Sequence, residues 1–135
     1  MTTAGWALQV AIHQVLVSDA ALGAELGGGR VYDYVPRGAS YPYVTFGQTA
    51  ENDWSSGSDQ GSEHLITLHV WDDGRGRRTA HRIVARVRGL LHDATLSLQG
   101  HRLINLRHEF TDVRREGDGQ TIRALVRFRA VTEPT

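Results

Sequence analysis

The chain has 135 residues, fifteen acidic and fifteen basic side chains and no cysteine. That length fits one domain burying roughly two thirds of the surface its unfolded chain exposes, so a core can form without covalent staples. The missing cysteines exclude disulfides and thiolate metal sites, the balanced charge argues against a dedicated nucleic-acid binder, and no apolar run approaches the ~20 residues of a membrane-spanning helix.

In chain order, Trp6, Leu8, Ile12, Val15 and Leu16 recur at helical spacing and predict an amphipathic helix over 5–17. The start Met1-Thr2-Thr3-Ala4 lacks the basic and long apolar regions of a signal peptide, so the chain is expected to be made and used in the cytoplasm or in a particle assembled there. Ser18-Asp19 reads as a cap for a short helix over 20–26, ended by Gly27-Gly28-Gly29. Those glycines follow a helix and precede a strand, the reverse of a phosphate loop, so they read as helix termination. Two short strands follow, over 30–35 and 43–47, fenced by Pro36 and Pro42 as suits sheet edges. From Gln48 to Ser62 the chain is polar and reads as a long loop or an extended hairpin tip, with Trp54 either stapled back onto the domain or anchoring a partner.

The stretch from Glu63 to Asp93 organises the rest. Its strand turns His64, Ile66, Leu68 and Val70 to one face. The segment Asp72-Asp73-Gly74-Arg75-Gly76 breaks that strand, and Ala80, Ile83, Val84, Val87, Leu90 and Leu91 then form one apolar helical stripe. Arg75, Arg78, Arg82 and Arg86 fall on the opposite side of the wheel, a basic stripe facing solvent, DNA or an acidic protein surface. Beyond the helix, 95–102 reads as a short strand and tight turn into a longer strand whose Ile104, Leu106, His108 and Phe110 alternate inward. Glu116-Gly117-Asp118-Gly119 marks a hairpin, and Ile122, Ala124, Val126, Phe128 and Ala130 alternate inward on the return, with Arg123, Arg127 and Arg129 outward. The fold expected is α+β, a single domain over 1–135 with a mainly antiparallel sheet flanked by an N-terminal helix and a central amphipathic helix.

Tests for chemistry come back empty. The seven histidines form neither a His-Glu-x-x-His helix nor a tight cluster with acids, although His64 and His108 could meet on adjacent strands. There is no Gly-x-Ser-x-Gly elbow and no thiol nucleophile, and Asp72-Asp73 before Gly74 reads better as a turn than as a nuclease carboxylate pair. No catalytic residue, cofactor site or metal site is assigned.

Order and spacing of short motifs carry a resemblance. Arg30-Val31-Tyr32-Asp33, Tyr41-Pro42-Tyr43-Val44-Thr45, Asp53-Trp54, Leu68-His69-Val70-Trp71, Leu91-His92-Asp93, Leu98-Gln99-Gly100-His101-Arg102-Leu103 and Arg127-Phe128-Arg129-Ala130 follow one another over nearly the whole chain. In that order they resemble the tail-completion proteins of long-tailed phages, and particularly the tail terminators of phage-like gene transfer agents. The resemblance implies a virion structural protein, not an enzyme, that forms a hexameric ring on the head-proximal end of the tail tube. The implied partners are other copies of itself, the major tail tube protein and a head-side neck or stopper protein. DNA would pass transiently through the lumen without sequence-specific contacts, and no membrane is involved. The place implied is the tail or neck of a phage-like particle assembled in the bacterial cytoplasm. Asp53, Trp54, Arg75, Arg78, Arg82 and Arg86 are the candidate protein-interface residues. A head-side stopper or adaptor is an alternative from the same particle, and a small metal-dependent hydrolase using His64, His108 and nearby acids is one from another class.

Overall fold

Thr3 starts the first helix, its hydroxyl accepting the backbone N–H of Trp6 at 3.2 Å. The computed structural model describes residues 2–74 and 77–135. Helix α1 (Ala4–Ser18) buries Ala7, Leu8, Ile12 and Leu16. Asp19 ends it and caps α2 (Ala20–Leu26) by accepting the Leu22 N–H at 2.8 Å. Gly27, at φ 80°, closes α2 in the left-handed conformation that helix ends favour.

Strand β1 is only Val31–Tyr32 and pairs parallel with β2 (Tyr43–Asp53). The expected strand over 30–35 is therefore shorter, and the His13 ring donates to the Val31 carbonyl at 3.1 Å, tying β1 to α1. The second strand is longer than expected. It runs through the polar residues to Asp53, antiparallel to β3 (Ser62–Asp72), so the long polar stretch is a hairpin arm with residues 54–61 as its tip. Helix α3 (Arg78–Leu91) follows, then β4 (Ser97–Leu98), β5 (His101–Arg115) and β6 (Ile122–Pro134).

The six strands are ordered β1-β2-β3-β6-β5-β4, antiparallel apart from β1 with β2. Phe128, Leu68, Val126 and Ala124 meet Leu8, Leu16, Leu26, Ile83, Val87 and Leu91 in one core, so the helices share one face of the sheet. The architecture is the expected α+β fold, with a mainly antiparallel sheet flanked by the N-terminal and central helices. On β3, His64, Ile66, Leu68 and Val70 are buried as read from the alternation.

Strand β5 departs from simple alternation. Its register against β6 shifts between Leu103 and Asn105 and again between His108 and Phe110. Each extra residue reverses which parity points inward. Leu106 is fully buried, whereas Ile104 and Phe110, both expected inside, are 49% exposed. The core side of β5 is instead continued by Leu103 and Val113, packed against the core cluster.

Candidate functional site

The chemistry this fold offers is at its surfaces. Among the described residues no group of three or more His, Asp or Glu side chains is placed to hold a metal ion. His64 and His108, which could have met on adjacent strands, are kept apart because β6 lies between β3 and β5. Each finds a separate partner: the His64 ring bonds the Thr132 hydroxyl at 2.9 Å and the His108 ring the Thr111 hydroxyl at 2.6 Å. Burial lowers the pKa of both.

The β2–β3 tip is held by its own hydrogen bonds. Trp54 donates its backbone N–H to the Gly61 carbonyl at 2.9 Å, and Ser56 and Asp59 exchange backbone bonds at 2.8 and 3.2 Å. Asp53 accepts the Ser55 hydroxyl at 2.6 Å and its backbone N–H at 3.2 Å, which lowers the pKa of its carboxyl. The Trp54 ring has the Arg129 guanidinium 4.9 Å from its centroid, while Arg129 also donates to Glu63 at 2.6 Å. Trp54 nevertheless remains 55% exposed. A large aromatic on a pre-ordered tip loses little entropy on meeting a partner, which suits it to an anchoring role. The arm carries Glu51, Asp53 and Asp59 and no cationic side chain between Gln48 and Ser62.

The arginine stripe of α3 is divided in its use. Arg86 donates to both carboxylate oxygens of Asp19, at 2.6 and 2.7 Å, and this bidentate pair with the Leu22 cap holds the Asp19 pKa down at about 2. Arg82 reaches Glu25 at 2.5 Å. These two arginines clamp α2 to α3, a role that needs the tertiary position of α2 to be seen. Arg78 is exposed with no acidic partner among the described residues. Arg75 lies outside the described residues.

The other flank of α3 holds two arginines and two histidines that reasoning from the wheel missed. Arg77, His81, Arg88 and His92 rim a groove of about 820 Å³ between α3 and β5, floored by Val84, Ala85 and Val113, with Asp112 on the β5 side held by Arg114. Burial first and then the neighbouring Arg88 lower the His108 pKa, and the His92 Nδ1 accepts the His108 backbone N–H at 3.0 Å. The available signal was spacing: 77, 81, 88 and 92 share one helical side, at the edge of the apolar stripe rather than opposite it.

On the helix-free face of the sheet, Arg123 sits 5.5 Å from the Trp71 ring centroid and Arg127 5.9 Å from that of Phe110. Tyr43 extends the aromatic patch by stacking on Tyr41 and Trp71 at 5.2 and 6.5 Å. His69 lies over Gly47, whose missing side chain makes room for the imidazole.

Comparison with known proteins gives a consistent result. The family model described as tail completion protein gp17 matches residues 10–133. A chain from a solved structure titled as the virion of a native gene transfer agent particle superposes with a TM-score of 0.91 at 34% identity. That match covers 98% of this chain and 99% of the other. No curated protein matches.

Proposed function

The chain belongs to the tail completion protein gp17 family, and from that premise we propose that it caps the head-proximal end of a tail tube as a ring of six copies. Bound there, it ends polymerisation of the tube protein and offers its opposite side to a head-side neck protein. DNA crosses the lumen on its way out of the head without base-specific contacts. The role is structural, in the tail or neck of a phage-like particle, and involves no catalysis.

The observation that carries this reading is the near-complete, end-to-end likeness to a chain of a gene transfer agent virion. A shared fold alone would not fix a function, but here family membership and place in a particle agree. The surfaces suit it as well: an exposed Trp54 on a self-ordered tip, two arginines along one groove without an acidic partner among the described residues and an uncovered sheet face are means of binding other proteins.

The test is electron microscopy of particles from cells lacking the gene. Overlong or unfinished tubes beside separate, DNA-filled heads are expected, and normally joined tails of normal length would refute the reading. Trp54→Ala is expected to reduce joined particles while leaving the melting temperature of the isolated protein within about 2 °C, since an exposed ring contributes little to folding. A large fall in melting temperature would make Trp54 a staple of the fold instead.

A further inference from the structure

We propose that the β2–β3 tip of one copy docks in the groove between α3 and β5 of the next, with Trp54 on the apolar floor and Asp53 and Asp59 facing Arg77 and Arg88. This rests on the ring reading above and names the contact that would build the ring.

Charge complementarity selects the occupant. From Arg77 to His92 the chain has no carboxylate, and from Gln48 to Ser62 it has no cation. Arg77 and Arg88 have no acidic partner among the described residues, in contrast to Arg82 and Arg86, which are already neutralised by α2. The groove's one carboxylate, Asp112, is taken by Arg114, which leaves Arg77 and Arg88 unspent there, and on the tip Asp53 and Asp59 have no cationic partner among the described residues. Their apolar parts match too: Trp54 is 55% exposed, and Val84 and Val113 form a floor in a groove of about 820 Å³, ample for an indole.

One copy cannot satisfy both patches itself. The tip leaves the sheet beyond Ser62, which pairs with Thr132, whereas the groove is bounded by residues 111–113, which pair with residues 124–126. Some seven residues of β6 separate the two, about 20 Å along an extended strand. Two different, mutually complementary patches at opposite ends of a subunit make a head-to-tail contact, which closes into a ring when its rotation permits. The internal bonding of the tip means that little ordering cost is incurred on docking.

The absence of cysteine makes a direct test clean. Ser58→Cys on the tip and Ala85→Cys in the groove are both exposed positions, so neither should disturb folding. Particles carrying the double variant, mildly oxidised and run on a denaturing non-reducing gel, are expected to give a ladder of multimers ending in the closed ring. Each single variant should give no ladder. Rings seen at the neck by microscopy without a ladder would overturn the docking and leave the ring reading standing. A single copy per neck would overturn both. In parallel, Arg88→Glu is expected to lower the yield of joined particles at least about tenfold, with Asp59→Arg in the same chain restoring part of it. Full yield from Arg88→Glu alone would also overturn the docking.

Discussion

The two bulges of β5 make a quantitative claim that can be checked with a pair of substitutions. Leu106 and Ile104 have the same parity and nearly the same apolar content, yet one is 0% and the other 49% exposed. Truncating Leu106 to alanine removes three carbon atoms from a closed core, about 2.4 kcal/mol at roughly 0.8 kcal/mol per methylene, and the cavity left behind raises this to about 3–4 kcal/mol. Ile104→Ala removes three carbons too, but half of that surface already meets water and no closed cavity forms, so its cost is about 1 kcal/mol. The difference of about 2–3 kcal/mol is a large part of the roughly 5–15 kcal/mol by which domains are stable. Denaturant unfolding of the two variants would measure it, with the midpoint shifting and the slope unchanged. Equal losses would mean that both side chains face the core, and that the register shift between Leu103 and Asn105 is wrong.

Three further outcomes follow from the same geometry. Asp19→Ala removes both the α2 cap and the partner of Arg86, so amide exchange at Leu22 and Gly23 should quicken while the sheet stays protected; since the Asp19 pKa falls from 3.8 to about 2 on folding, its contribution is present above pH 3.8 and lost as pH falls through about 2. His64, His69 and His108 all have pKa values lowered below 6.5, by burial first, so the unfolded chain takes up their protons before the folded one. Stability should be full above pH 6.5 and decline between pH 6.5 and 5, a window where carboxylates scarcely titrate, and a flat melting temperature across it would contradict the burial of these rings. Gly47→Ala pushes a methyl group into the His69 ring and toward the Thr67 carbonyl, with an expected loss of about 1–3 kcal/mol by thermal unfolding, relieved when His69→Ala is added.

What the sequence made legible is what the core dictates. The stripes of α1 and α3 and the alternation of β3 and β6 are burial patterns, and burial writes its period directly into residue order. A bulge writes nothing comparable. Ile104 and Phe110 are apolar and have the parity of Leu106, so only the pairing with β6 shows that two inserted residues turn them outward. The outer half of β2 was hidden for a related reason. Residues 49–53 project on a hairpin arm and pair with β3 alone, so no hydrophobic alternation marks them as strand. At the surface the wheel placed the arginines of α3 correctly on exposed positions but could not tell which of them were taken. Arg82 and Arg86 are occupied by Glu25 and Asp19, more than fifty residues earlier in the chain, and that depends on how α2 is laid across α3.

The charge totals hide the feature that bears most on assembly. Fifteen arginines against fifteen carboxylates give a net charge of zero, and zero net charge argues only against strong non-specific attraction to nucleic acid. It does not imply an even surface. Asp53 and Asp59 on the hairpin arm have no cationic partner among the described residues, and Arg77 and Arg88 beside α3 have no acidic one. In the proposed tip-to-groove docking these charges would specify orientation more than affinity. Affinity would then be left to apolar contacts such as that of Trp54, which are not screened over the Debye length of about 8–10 Å that limits surface charges at cellular salt. In the proposed ring, a subunit that waits for a tube and then closes in a defined direction would gain from that division. Orientation would be set by charges that act before contact, and the lasting hold would form only when Trp54 is seated.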